Sequence, residues 1–269
     1  MKRLHNIIAG AAALVLVLTL CVTAFGDSLS YGDMAASIVS AEKAQLGIAD
    51  GAALLTEENF PAGSSVSDWT ALAMARAGVA DDYAGYLNRL QDYVERQYAE
   101  NGGLHEVKAT EYHRIALTVA ALGGDPAAFG TKPDGTAIDL VADGTYNWQG
   151  ENELGAQGLN GWIFALLAMD AVAAEVPADA RYSRESIVDT IVSAQLPEGG
   201  FSLGGSDMDV DITAMALQAL APYQQQYPEV IDAALSALSA AQTATGGFES
   251  WGAQSSESCA QVILALTAL

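Results

Sequence analysis

Residues 209–217 read Asp209-Val210-Asp211-Ile212-Thr213-Ala214-Met215-Ala216-Leu217, an acidic start followed by small and apolar side chains. Short side chains with oxygen acceptors favour the start of a helix. A helix that lacks a polar face must be buried. This stretch therefore predicts a helix at the centre of a packed array.

The same pattern, an acid or Asn before a helix rich in Ala and Leu, recurs along the chain. Its members follow one another at steps of 43, 49, 51 and 46 residues, at Asp68, Glu111, Asn160, Asp211 and Glu257. A recurring unit of about 20–50 residues is typical of repeat architectures. Since each unit needs its neighbours to cover its apolar face, residues 27–269 are expected to form one domain.

A second kind of helix alternates with the first. Residues 82–99, 183–195 and 228–242 carry apolar side chains at helical spacing on one face and polar ones on the other. Glycine pairs follow these helices, because Gly past a helix end can adopt the left-handed conformation. The aromatic residues after two of these pairs, Phe201 and Phe248, are expected to insert between neighbouring helices.

The fold class expected from this alternation is all-α, an α/α toroid of about five outer and inner helix pairs. The Ala/Leu helices would form the inner ring and the two-faced helices the outer ring. Residues 127–159 fit least well, and we expect a short helix around Thr136 to Ala142 followed by a long loop. Parallel inner helices would place all five of their starts at one mouth of the ring.

The first 26 residues have the pattern of a secretory signal peptide. Lys2 and Arg3 precede an apolar run from Ile7 to Leu20, and small residues precede a cut at Asp27. An uncleaved membrane anchor and a lipid anchor on Cys21 are the alternatives. Cleavage would leave Cys259 as the one cysteine, so that stability comes from packing rather than from a disulfide. No membrane span is expected in the mature chain.

Acidic residues dominate the charge. The formal net charge is −22, and it becomes −24 once Lys2 and Arg3 are removed. Such a surface repels nucleic acid and anionic lipid, so neither is an expected partner. The expected location is secreted or at the cell surface.

Glycine-containing repeats carry a resemblance to known proteins. Gln195…Gly199-Gly200-Phe201, Gln242…Gly246-Gly247-Phe248 and the weaker Gln97…Gly102-Gly103-Leu104 resemble repeats of squalene–hopene-type cyclases. The chain is thereby similar, over about residues 30–269, to the α/α-toroid superfamily of terpenoid cyclases and protein prenyltransferases. It also resembles bacterial secreted proteins with prenyltransferase/squalene-oxidase repeats.

Two inner-helix stretches, 211–216 and 257–266, are similar to inner helices of transcobalamin and intrinsic factor. This resemblance implies cobalamin as one candidate ligand, although cobalamin-binding toroids close a second domain over it. Complete toroids of the superfamily have about six helix pairs. The five found here imply an incomplete ring and a domain truncated at its C-terminus.

The resemblance to class II terpene cyclases points to Asp209 and Asp211 as alternative catalytic residues. Those enzymes use an Asp-x-Asp-Asp motif whose middle Asp protonates the substrate. Asp209 would take the first position and Asp211 the donor position, but Ile212 replaces the adjacent acid. Zinc-dependent prenyl transfer needs an Asp/Cys/His ligand set, and Cys259, His105 and His113 show no metal-binding spacing. We therefore expect no metal and no catalytic cofactor.

The residues at the helix starts have two interpretations. One is helix capping, in which side-chain oxygens bind free N–H groups. The other is a ligand site at the shared mouth, where aromatic walls and polar anchors suit a small organic molecule or a glycan. The candidate ligand-binding residues are Asp68, Trp69, Glu111, Tyr112, Asn160, Trp162, Asp211, Trp251 and Glu257.

The sequence favours a non-catalytic exported domain that binds a small organic ligand or a surface partner. The alternatives are a cyclase-like or prenyltransferase-like enzyme with a degenerate acid motif, and a structural repeat module of the cell surface.

Overall fold

The computed structural model describes residues 30–269 and is almost entirely helical, which confirms the all-α prediction. The expected signal peptide at 1–26 lies outside the described residues. Within them lie nine α-helices: α1 (Tyr31–Leu46), α2 (Ser65–Arg76), α3 (Tyr83–Asn101), α4 (Ala109–Ala121), α5 (Asn160–Ala171), α6 (Arg184–Ser193), α7 (Val210–Leu220), α8 (Pro228–Ala241) and α9 (Ser256–Ala268). None of the described helices has the length and apolarity that a membrane crossing requires.

Short elements complete the described chain. A two-stranded antiparallel hairpin joins β1 (Glu249–Ser250) to β2 (Ala253–Gln254). Three 3₁₀ turns and one π-helical turn lie between the α-helices, at Pro126–Ala128, Leu154–Gln157, Ala221–Tyr223 and Ala142–Tyr146 respectively. The hairpin and the π turn have no counterpart in the sequence-based expectation.

The Gln and Gly residues of the repeats close the turns after the outer helices. The side-chain amide of Gln195 donates to the carbonyl of Gly199 over 2.8 Å, and Gln242 makes the same bond to Gly246. Gly199 has a φ of 95°, a left-handed conformation that a β-carbon would strain. Both turns thus return the chain towards the next inner helix in the same way.

The phenylalanine after each Gly pair is buried, as the sequence predicted. Phe201 is completely buried and Phe248 nearly so. The carbonyl of Phe201 accepts from the N–H of Asp209 over 2.9 Å, and that of Phe248 accepts from Ser255 over 3.0 Å. This shared bond makes Asp209 and Ser255 equivalent positions, each one residue before an inner helix.

The inner helices pack in the order of the sequence. α2 contacts α4, α4 contacts α5, α5 contacts α7 and α7 contacts α9, while α6 packs on α5 and α8 on α7. α2 and α5, which both pack on α4, also approach each other. There the ring of Trp69 lies 5.9 Å from that of Phe164.

Burial agrees with the prediction for three of the inner helices. α4 and α7 bury most of their residues, and α5 exposes only Ala171. The prediction is wrong for α2, where only Ser67, Asp68, Ala71 and Met74 are buried, and for α9, where only Ser258, Val262 and Ala265 are. Ile263, Leu264 and Leu266 are each more than half exposed, because no described element covers the side of α9 that faces away from α7.

Residues 127–159 are irregular, as expected, but the short helix lies later than the sequence indicated. Its first turn begins at Leu140 rather than at Thr136. The carboxylate of Asp139 sets this start, because one of its oxygens accepts from the N–H groups of Val141 and Ala142 at 3.0 and 2.8 Å. Before that point, an isolated bridge pairs Thr131 with Ala137.

Candidate functional site

The five predicted helix-start residues do not occupy equivalent positions. Side-chain caps come from Ser64, Asp209 and Ser255, each of which accepts from a backbone N–H three residues further on. The capping interpretation is therefore wrong, since none of the five predicted residues occupies the N-cap position of its helix. Four of them lie instead in the first turn of their helices, where a carboxylate still favours the helix dipole: Asp68, Glu111, Asp211 and Glu257.

Asp68 and Glu111 both form ion pairs with the buried Arg114; Asp68 is completely buried and Glu111 is partly exposed. One carboxylate oxygen of Asp68 lies 2.9 Å from Nε of Arg114, and the other accepts from the hydroxyl of Tyr86 at 2.6 Å and the N–H of Gly63 at 3.1 Å. Glu111 contacts Nη1 of Arg114 at 2.6 Å. These bonds join α2, α3 and α4, so the two acids stabilise the fold and are not free to bind a ligand.

Burial acts against both charges of the pair that Asp68 forms with Arg114. It raises the pKa of Asp68 above its ordinary value, although Tyr86 and Arg114 lower it. Burial also opposes the charge of Arg114, but the carboxylates of Asp68 and Glu111 outweigh it and raise the pKa of the guanidinium. The arginine therefore stays charged, and its loss would leave buried acceptors without a partner.

The predicted tryptophans of α2 and α5 lie apart from each other. Trp69 contacts Phe164 with the two ring planes tilted by 45°, while Trp162 meets the ring of Tyr182 edge-on at 5.3 Å. Trp162 borders a small cavity of about 340 Å³. Asn160, the first residue of α5, has a buried side-chain oxygen without a hydrogen-bond partner.

Three of the predicted residues come together in a cleft of about 800 Å³, which we call the Trp251 cleft. It lies between the loop 202–209, residues 157–158 and the hairpin tip at 249–251. Its floor includes Asp209 and Asp211 at the start of α7. Glu257, the equivalent of Asp211 in α9, is exposed and lies outside this cleft.

Trp251 is fully exposed at the tip of the hairpin. Its φ is 54° and that of Gly252 is 78°, so both central residues of the two-residue turn are left-handed. Tight hairpins favour this geometry, but they normally place Asn or Asp at the first position. A tryptophan there costs about 1–2 kcal/mol of backbone strain and leaves a large apolar ring in water.

The charge of the Trp251 cleft is uniformly negative. Its lining includes four carboxylates and no Lys, Arg or His from the described residues: Asp207, Asp209, Asp211 and Glu249. One oxygen of Asp209 accepts from the N–H of Ile212 over 3.0 Å and so caps α7. One oxygen of Asp211 is buried and has no hydrogen-bond partner. The half-exposed side chain of Leu203 adds an apolar surface.

Sequence reasoning missed two elements of this cleft. Glu249 and Leu203 follow no helical pattern, and they enter the cleft because the hairpin and the loop 202–209 fold towards each other. The one local signal was the Gly directly after Trp251, which is typical of a hairpin turn.

A second cavity, of about 620 Å³, lies at the start of α4, and we call it the Tyr98 cavity. It opens between two loops, 101–106 and 147–151, which are tied together where the N–H of Glu151 donates to the carbonyl of Glu106 over 3.0 Å. Its floor contains three aromatic rings in edge-on contact, with centroids 5.7 to 6.4 Å apart: Tyr98, Tyr112 and Trp148. Tyr112 is the only member of the predicted set that it contains.

A polar cluster crosses the floor of the Tyr98 cavity. The hydroxyl of Tyr98 donates to the carboxylate of Asp143 over 2.7 Å, and the ammonium of Lys132 lies 2.8 Å from the same oxygen. Burial, followed by the charge of Asp143, raises the pKa of Tyr98 far above its ordinary value. Tyr98 therefore stays protonated and holds Asp143 in place.

The π-helical turn at Ala142–Tyr146 positions Asp143. Gly144 packs so closely on Tyr112 that a β-carbon would collide with that side chain. Nε2 of His113 lies 2.7 Å from the carbonyl of Gly144 and, in the neutral ring, donates to it. π turns inside helices frequently occur at functional sites.

Complete burial lowers the pKa of His113 from its ordinary value to about 4, against a smaller opposite effect of the bond to Gly144. The fold is therefore expected to lose stability as pH falls from about 6.5 to about 4. In that range His113 binds a proton in the unfolded chain but not in the folded one. The free energy of unfolding therefore falls by about 3 kcal/mol at most. Urea unfolding at a series of pH values measures it.

His113→Gln is the matched variant for this pH dependence, because glutamine keeps a donor for Gly144 and cannot become charged. Its stability curve should be flatter than that of the unsubstituted protein below pH 6.5. Two parallel curves would show that His113 is not the titrating group.

No protein-family model matches the chain, and no curated protein matches it. Within residues 30–269, no group of three or more His, Cys, Asp or Glu side chains is arranged to hold a metal ion. The two cavities are therefore interpreted from their own geometry and chemistry.

Proposed function

We propose that the chain is an exported, non-catalytic α/α-toroid domain that binds a small organic ligand in the Trp251 cleft. The observation that carries this proposal is one exposed tryptophan, displayed on a strained turn beside a cleft of about 800 Å³. Strained backbone persists where the surrounding structure enforces it and often marks a ligand contact. The cleft volume lies in the range of about 300–1,000 Å³ that is usual for small-molecule sites.

The toroid part of the proposal is supported by the packing of the inner helices. They follow one another in sequence order, and α2 approaches α5 around α4 through Trp69 and Phe164. The glycine-aromatic turns repeat with the same hydrogen bonds, as a repeat architecture requires.

The charge of the cleft restricts the ligand to a cationic or neutral molecule. A positively charged group would lie among four carboxylates and within reach of the tryptophan face, an arrangement that stabilises organic cations. A prenyl diphosphate would instead bring negative charge into an acidic cleft. A corrinoid is one specific candidate, supported only by the resemblance of residues 211–216 and 257–266 to inner helices of transcobalamin and intrinsic factor.

The cleft also favours binding over cyclase chemistry. Cyclase cavities stabilise carbocations with many aromatic rings, whereas Trp251 is the one aromatic side chain in the described lining of this cleft. Asp209, the first residue of the degenerate acid motif, is engaged as the cap of α7. Neither Asp209 nor Asp211 is therefore proposed as catalytic.

Isothermal titration calorimetry tests the binding proposal with a named set of probes. The full chain is titrated with choline, phenethylamine and tryptamine, and with neutral alcohols of matched shape. We expect at least one amine to bind, and to bind more tightly than its neutral partner. Trp251→Ala and Asp211→Asn should each weaken that binding about tenfold, the effect of losing one cation–π or charged contact.

Glu257→Gln is the matched control, because Glu257 is the exposed counterpart of Asp211 in α9 and lies outside the cleft. It should bind the amine as the unsubstituted protein does. The proposal fails if no probe binds at millimolar concentration, or if all three variants bind equally well.

A further inference from the structure

We propose that the Tyr98 cavity is a second binding site, for a saccharide that carries no negative charge. It stands apart from the Trp251 cleft, with which it shares no lining residue. Its volume of about 620 Å³ is ample for a small ligand. The proposal is independent of the amine site and does not rest on it.

The walls of the Tyr98 cavity are rich in uncharged hydrogen-bonding groups. Three amide side chains line it and are exposed to solvent: Asn101, Asn147 and Gln149. Each amide offers both a donor and an acceptor. Sugar hydroxyls also donate and accept at once, so such amides are well matched to them.

Histidine and backbone groups add to this set of donors. Nδ1 of His105 accepts from the N–H groups of Val107 and Lys108, at 3.0 and 3.1 Å. The ring proton therefore lies on Nε2, which makes His105 a hydrogen-bond donor among the lining residues.

The charges at the floor of the cavity are paired. Lys132 is neutralised by Asp143 at 2.8 Å, and Asp143 is held further by Tyr98. An anionic ligand would have to compete with Asp143 for the lysine and would also face the exposed carboxylates of Glu106 and Glu151. A molecule without negative charge avoids both effects, and a polyhydroxylated one can bind the amide groups of the walls.

The floor is preorganised. Tyr98, Tyr112 and Trp148 are buried against one another, and the indole N–H of Trp148 donates to the carbonyl of Asn152 over 2.7 Å. The hydroxyl of Tyr112 accepts from the N–H of Leu104 over 2.8 Å and fixes the loop 101–106. A rigid floor lowers the entropy cost of binding, so the exposed amides can discriminate between ligands.

Isothermal titration calorimetry tests this proposal on the full chain with defined trisaccharides. The neutral probes are maltotriose, cellotriose, xylotriose and tri-N-acetylchitotriose, and the anionic one is trigalacturonate. We expect at least one neutral trisaccharide to bind, and trigalacturonate to bind more weakly. The double variant Asn147→Ala/Gln149→Ala should weaken that binding about tenfold through lost hydrogen bonds.

Two variants complete the design. Asn88→Ala removes an exposed amide on α3 outside the cavity and should bind as the unsubstituted protein does. Trp251→Ala should also leave saccharide binding unchanged, which separates this site from the Trp251 cleft. Binding to no neutral probe, tighter binding of trigalacturonate, or equal binding by the double variant would each overturn the proposal. Because the substituted amides are exposed and make no hydrogen bond within the described chain, folding is expected to be preserved, and circular dichroism checks it.

Discussion

Replacing Arg114 by methionine is expected to lower the free energy of unfolding by about 3–5 kcal/mol. The side chain of Arg114 is buried, and its guanidinium contacts the completely buried carboxylate of Asp68. Methionine fills a similar volume but leaves that carboxylate without its charged partner. Urea unfolding followed by circular dichroism gives the difference directly.

The control for Arg114 is Arg96→Met, because Arg96 is exposed and lies over the ring of Tyr93. That variant should change stability by about 0.5 kcal/mol or less. The double variant Arg114→Met/Asp68→Leu removes both charges and should recover much of the loss. A small effect of Arg114→Met alone would mean that Asp68 finds another partner or a proton when the arginine is gone.

The second large effect is expected for Phe201→Ala, with a loss of about 3–5 kcal/mol. Phe201 is completely buried where the chain returns from the turn at Gly199 towards α7. Its truncation creates a cavity that the surrounding helices cannot fill, because the N–H and carbonyl of residue 201 are held by Thr213 and Asp209. The same urea measurement applies.

Phe248→Ala is the matched comparison, since Phe248 occupies the equivalent position before α9. We expect a smaller loss there, because α9 has one exposed side and can move towards the cavity. If both variants lose the same free energy of unfolding, the two repeats are equally rigid although α9 is less buried than α7.

Local patterns predicted the helices well. α3 was expected at 82–99 and forms at Tyr83–Asn101, because its apolar spacing and the following Gly pair are local signals. The burial of Phe201 followed from the repeat in the same way. These features depend on the chain within about ten residues, which a single sequence contains.

The candidate site was predicted only in part, for reasons of register and tertiary contact. Asp68 and Asp211 follow similar sequence patterns, yet Asp68 lies four residues after its cap and points to Arg114, while Asp211 lies two residues after its cap and borders a cleft. Two side chains whose positions differ by two residues along a helix lie on different faces of that helix. The exposure of Trp251 and the π turn around Asp143 depend on how loops fold. The spacing of apolar residues along the sequence does not predict the conformation of such loops.

The single-file packing of the inner helices has a consequence for how the molecule opens. α9 has its extensive contacts with α7 alone, whereas α5 is held by α4, α6 and α7. Detaching α9 therefore breaks one interface, and releasing α5 breaks three. Among α5, α7 and α9, breathing motions should therefore start at α9 and travel inwards, so that the hairpin bearing Trp251, directly before α9, loosens before α5 does.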